Sequence, residues 1–295
     1  MDNSQDKNVT SGQEQEIKLT KKGETAQKAA PQKGQAPQSG PNPFKNSKTR
    51  VIAVASGKGG VGKSSLTTNL AIALAAAGKK VGALDADVWG FSMPRMLGID
   101  SPPEVVGEKI IPPEQHGVKL ISMGYFARED QPVMWRGPML HKALEQFLTD
   151  VEWGELDYLI IDMPPGTGDV SLSIAQFLPK SEMIVVTTPQ KAAQSVAQRA
   201  AFMAETVDIH LIGVIENMSY FTGDDGVKYH IFGQGGGKLL ADKLSIPFLG
   251  EVPLESQLRI GGDQGIPIVI SDPDSESAKA IENIAKSIIE NNVMV

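Results

Sequence analysis

Hydrophobic residues come in short, nearly unbroken runs separated by longer amphipathic stretches. Val51–Ala55, Val81–Leu84, Tyr158–Ile161, Met183–Thr187, Leu211–Ile215 and Phe248–Val252 are almost wholly apolar. Strands read this way when both faces are covered, as in a parallel sheet between helical layers. The intervening segments Ser64–Ala77, Pro138–Leu148, Lys191–Glu205 and Gly237–Leu244, with Ser275–Glu290 last, predict helices. Strands alternating with helices give an α/β fold with a doubly wound, mostly parallel sheet. Between Ile99 and Tyr125 the rhythm breaks. The prolines there, with the runs Lys109–Ile111 and Val118–Ile121, predict a β-hairpin in which those two runs pair.

Residues 1–48 lack the pattern altogether. They are rich in Gln, Lys, Ser, Gly and Pro and poor in large apolar side chains. Such a segment cannot bury enough surface to offset its ordering entropy. It reads as a disordered tail, either a solubilising leader or a partner-docking arm, ahead of one folded domain over 49–295. No apolar run approaches the ~20 residues that span a bilayer, and residues 1–50 contain no signal-like apolar core. A cytoplasmic location without membrane contact is the expectation.

Charge and cysteine content remove further classes. The first fifty residues carry nine basic and five acidic side chains, the remainder nineteen and thirty, so the body is strongly acidic. That argues against a nucleic-acid partner, whose phosphates call for Lys and Arg. The chain has no cysteine. Disulfides, thiolate catalysis and any cysteine-ligated cluster built from this chain alone are excluded.

The strand Val51–Ala55 runs into Gly57-Lys58-Gly59-Gly60-Val61-Gly62-Lys63-Ser64, with Ser65 next and an apolar helix beyond. This is G-x-x-x-x-G-K-[ST], a phosphate loop. Glycines let successive N–H groups turn toward a phosphate, and the helix N-terminus adds its positive end. Lys63 is expected on the β- and γ-phosphates of ATP and the Ser64 hydroxyl on Mg²⁺. A merely glycine-rich turn is the plain alternative.

Two further strands end in acids. Val81–Leu84 leads to Asp85 and Asp87, at the carboxyl edge where open α/β sheets hold ligands. Asp85 reads as an acid that acts on Mg²⁺ indirectly or fixes the loop; a turn-capping role is the alternative for both aspartates. Tyr158–Ile161 ends in Asp162, the Walker B pattern whose carboxylate holds Mg²⁺ through water. After it, Pro164–Thr167 resembles a γ-phosphate-sensing switch in which Gly166 offers its N–H, and Asp169 reads as an acid at the start of the next helix.

The string Lys58–Ser64 (KGGVGKS) resembles the deviant phosphate loop of the MinD/ParA/Mrp class of dimeric ATPases. Asp85–Gly98 (DADVWGFSMPRMLG), Trp135–Met139 (WRGPM), Asp162–Asp169 (DMPPGTGD), Glu216–Tyr220 (ENMSY) and Phe232–Gly237 (FGQGGG) are together similar to the Mrp/ApbC family. The resemblance covers about residues 44–290. It implies a homodimeric, MinD/ParA-like P-loop ATPase in which Lys58 reaches the partner's nucleotide and Asp87 orients the attacking water. It also implies that Asn217 and Pro253 contact the base, and that Arg136 lies near the switch loops or is a surface arginine. The family function it implies is an iron–sulfur cluster carrier serving apo client proteins. Family members bridge a [4Fe–4S] cluster with a Cys-x-x-Cys after the Asn-Met-Ser-Tyr motif. Here that stretch, Phe221–His230, has no cysteine, and Asp224-Asp225-Gly226 predicts a tight turn between two short strands. Iron–sulfur ligands are therefore absent from this chain. A ParA/MinD-type regulatory or positioning ATPase without a cluster is the alternative function. Gly233–Lys238 reads as a close-packed helix start, not a second phosphate loop. The isoleucines of Ser275–Glu290 predict packing against the body, not membrane binding.

Overall fold

The computed structural model describes residues 42–88, 90–126, 137–166 and 169–291. Most of the expected tail, together with Trp135, Arg136 and Thr167, lies outside these residues. Along the chain run β1 (Arg50–Ser56), α1 (Lys63–Ala76), β2 (Val81–Asp85) and α2 (Met93–Leu97). Then come β3 (Glu104–Val106), β4 (Lys109–Ile111), β5 (Glu114–Gln115), β6 (Val118–Ser122) and α3 (Gly137–Thr149). The next are β7 (Tyr158–Asp162), α4 (Asp169–Phe177), β8 (Glu182–Thr187), α5 (Lys191–Thr206) and β9 (His210–Asn217). Last are β10 (Phe221–Thr222), β11 (Lys228–Tyr229), α6 (Gly236–Leu244), β12 (Phe248–Val252), α7 (Ser256–Gln264), α8 (Ile268–Ser271) and α9 (Glu276–Glu290).

Eight strands form one sheet in the order β12-β9-β8-β1-β7-β2-β6-β5. Every pairing is parallel except β5 with β6 at the edge. Strand β1 shows why the runs read as continuous. Val51, Ala53 and Ala55 point into the core shared with α3, α4, α5 and α6, while Ile52 and Val54 point into the core shared with α1, α2, α8 and α9. Each fully buried Val or Ile contributes about 1.5–3 kcal/mol by leaving water. Helix α9 is capped by the Ser275 hydroxyl, which accepts from Ala278 N–H. It buries Ile281, Ile284 and Ile288 in the second core, as its spacing predicts.

The hairpin expected between Lys109–Ile111 and Val118–Ile121 is corrected. Lys109–Ile111 pairs instead with Glu104–Val106, while Val118–Ser122 lies parallel to β2 inside the main sheet. Val118, Leu120 and Ile121 are fully buried, which only a central position satisfies, whereas Val105 and Val106 stay 70% and 61% exposed. The tail boundary also shifts. Phe44 is 8% exposed and meets the Trp153 ring edge-on at 6.3 Å, and the Asn42 side chain donates to the Phe177 carbonyl at 2.8 Å. Asn42 and Phe44 thus pack with the body, while residues 45–48 are exposed. Helix α4 starts at Asp169, as expected, whereas three short helices, α2, α7 and α8, went unpredicted. Among the described residues, no helix is long and apolar enough to cross a membrane.

Candidate nucleotide site

Strand β1 ends beside β7 and β8, and the loop 57–62 turns from its carboxyl end into α1. Gly57 lies under α5: a Cβ there would sit 2.2 Å from the Val196 carbonyl carbon, so no other residue fits. Gly62 takes φ +79° as the residue before α1, and its added Cβ would strike the Asn217 side chain at 2.3 Å. No side chain caps this helix start and no acid lies in its first turn. Its N–H groups and dipole are left for an anion.

A cavity of about 410 Å³ opens over the loop, lined by Ser56, residues 58–65, Asp87, Gly90, Ser92, Met96 and Pro165. Lys63 is 6% exposed and places its ammonium 2.7 Å from Asp162 and 4.0 Å from Asp87. The Ser64 hydroxyl donates to the second Asp162 oxygen at 2.6 Å, and the Thr67 hydroxyl donates to the first at 2.9 Å. A carboxylate this buried is stabilised by three such partners. Ser64 and Asp162 are the hard oxygen groups at this end of the cavity that could hold a Mg²⁺ ion. Thr67 escaped the motif reading, although it lies one helical turn beyond Lys63 and shares its face.

Asp85 pairs in register with Asp162 on the neighbouring strand and is fully buried. Burial, and then the charge of Asp162, push its carboxyl up to about 7. It accepts from the Ser122 hydroxyl at 3.0 Å and from the backbone N–H groups of Asp87, Ser92 and Met93 at 3.2–3.3 Å. This geometry fixes the loop that carries Asp87, whose own carboxylate accepts from Gly90 N–H at 3.1 Å.

Other expected site residues fall differently. Lys58 is exposed at the rim and donates to Gln190 at 3.4 Å. Gly166 N–H is engaged by the Ser56 carbonyl at 3.0 Å and does not face the cavity as an open donor. Asn217 is buried behind the loop, its amide donating to the Val61 carbonyl at 2.8 Å while its own oxygen has no partner among the described residues. Pro253 is buried at the end of β12, and neither it nor Asn217 lines the cavity. The glycines at the start of α6 are packed tightly, since a Cβ on Gly236 would meet Gln194 at 2.1 Å. Where the resemblance would seat a cluster, β10 and β11 form an antiparallel hairpin turning through Gly226 at φ +74°. Among the described residues, no group of three or more His, Cys, Asp or Glu is arranged to hold a metal.

Residues 47–289 match the family described as ParA: NUBPL iron-transfer P-loop NTPase. The iron–sulfur cluster carrier protein of Mycobacterium tuberculosis is 51% identical over 249 residues, 82% of this chain and 65% of that protein. That of Bacillus subtilis is 50% identical over 238 residues, 80% of this chain and 67% of its own length. The chain thus spans about two thirds of the curated relatives it matches. A nucleotide-binding protein from Archaeoglobus fulgidus, solved in complex with ADP, superposes with a TM-score of 0.67 at 37% identity, over 77% of this chain and 89% of its own. The septum site-determining protein MinD of Pyrococcus horikoshii shares the fold, with a TM-score of 0.60 at 24% identity over 81% of this chain and 96% of its own. With its phosphate loop, doubly wound sheet and paired strand-end acids, the chain belongs to the ParA/NUBPL family of iron-transfer P-loop NTPases.

Proposed function

We propose that this chain is a cytoplasmic, Mg²⁺-dependent ATPase that works as a homodimer and drives delivery of iron–sulfur clusters to apo client proteins. The observation that carries the ATPase is the hydrogen-bonded group Lys63, Ser64, Thr67 and Asp162 at an uncapped helix start. Lys63 is held by Asp162 until phosphate oxygens offer it a second partner. The Ser64 hydroxyl would hold Mg²⁺, with Asp162 behind it. The ion neutralises charge on the phosphates. Asp87, which lines the same cavity, would orient the attacking water. Lys58, exposed at the rim, would reach the nucleotide of a second subunit.

The cluster is cargo in this scheme. With no cysteine in the chain, its thiolates come from the protein that brings it. The test mixes the full chain, MgATP, a cluster-loaded thiolate scaffold and an apo client, and follows client activation. ATP-dependent acceleration, abolished by Lys63→Ala, is the expected result. The absence of cysteine also favours a second reading, a regulatory ATPase that handles no cluster. Client activation at the same rate with and without the chain would select that reading.

A further inference from the structure

We infer that the hairpin at Phe221–Tyr229 is closed by its own side chains and tethered to α9, so that it keeps its shape with no metal or cluster. The inference rests on the reading of the chain as an iron-transfer ATPase. It concerns the segment where the cluster ligands of that family would lie. Asp225 carries the closure. One of its oxygens accepts from Val227 N–H at 3.0 Å and the other from the Tyr229 hydroxyl at 2.7 Å, across the turn. These two donors hold its carboxyl below the usual aspartate range. Gly223 makes room for the arrangement: a Cβ there would lie 2.7 Å from Asp225 and 2.9 Å from the Tyr229 ring.

The tether runs through Lys228 and Glu276. The Lys228 ammonium lies 3.7 Å above the Tyr220 ring centroid and 3.9 Å from one Glu276 oxygen. The Thr222 hydroxyl donates to the other Glu276 oxygen at 3.1 Å. Glu276 is the first residue of α9, where a carboxylate is also favoured by the helix dipole. Both strands of the hairpin are therefore tied to a helix that packs on α1, the helix that starts at Lys63. A metal in such a hairpin would serve as a cross-link. Here Asp225, Tyr229, Lys228 and Glu276 supply cross-links of their own, and no cysteine is present to bind iron.

The test uses the full chain. It is incubated anaerobically with ferrous iron and sulfide, desalted, and assayed for iron and for cluster absorbance. In parallel, amide hydrogen exchange across 221–230 is measured with and without a chelator. No retained iron above a protein-free blank, and exchange unaffected by chelation, are expected. Asp225→Ala should speed exchange in the hairpin about two- to tenfold, the size of one or two lost net hydrogen bonds, and Glu276→Gln should do so less. Stoichiometric iron surviving desalting would overturn the inference. So would chelator-induced loosening, or an Asp225→Ala hairpin that exchanges at the parent rate. An iron-free, tightly closed hairpin in a chain that fails to accelerate client activation would leave this inference standing and sink the carrier reading instead.

Discussion

The phosphate loop and the β10–β11 hairpin both lie at the carboxyl edge of the sheet, one after β1 and one after β9, and they are built in opposite ways. The loop is backbone. Its glycines clear space, its helix start is uncapped, and the charges beneath it, Lys63 and Asp162, are buried and held to each other. The hairpin is side chain. Its contacts are exposed, redundant and complete within themselves. A site that awaits a ligand keeps strong groups in a provisional arrangement in low dielectric, where each counts for much. An element that needs no ligand is closed by weak surface contacts, each of which counts for little.

Substitutions test that contrast in descending order of effect. Lys63→Ala should abolish ATP binding by calorimetry. It should also cost about 3 kcal/mol in urea unfolding, because Asp162 is left buried without its cation. A variant that still binds ATP at parental affinity would break the comparison. Asp87→Ala should bind ATP normally yet hydrolyse it about 10²–10³-fold more slowly in single-turnover assays, as expected for loss of a water-orienting acid. Parental turnover would remove Asp87 from the chemistry. A separate effect is on pH. Folded Asp85 keeps its proton up to about 7, whereas the unfolded chain loses it near 3.8. Unfolding between those values releases a proton, so this residue makes the fold less stable as pH rises through that window, by up to ~1.4 kcal/mol per pH unit. Asp85→Asn should flatten that slope in unfolding curves taken across the window. An unchanged slope would assign it to other groups.

Much of this was legible before the fold was seen. The main strands announced themselves because a residue such as Ile52 or Val54 has nowhere to go but a core. The phosphate loop was legible because its glycines and lysine are contiguous. What sequence could not give was pairing across distance. Val118–Ser122 is as apolar as half a hairpin, and only its burial between β2 and β5 shows that it belongs to the sheet. Helix α2 was hidden by Pro94, which suits a first turn but reads as a breaker. Gly166 carries the residue type of a phosphate sensor, yet its N–H is spent on Ser56. The Lys63–Asp162 pair joins residues almost a hundred positions apart, and neither motif alone names the other as its partner.

One contact under the loop has a mechanical meaning. Gly57 lies backbone to backbone on α5 at Val196 and Ala197, with no room for even a methyl group between them. Lys58, the next residue, touches Gln190 just ahead of the same helix. The loop and the helix meet without slack. The loop thus bears directly on α5, a helix of sixteen residues and about 24 Å. Its far end carries the exposed Phe202.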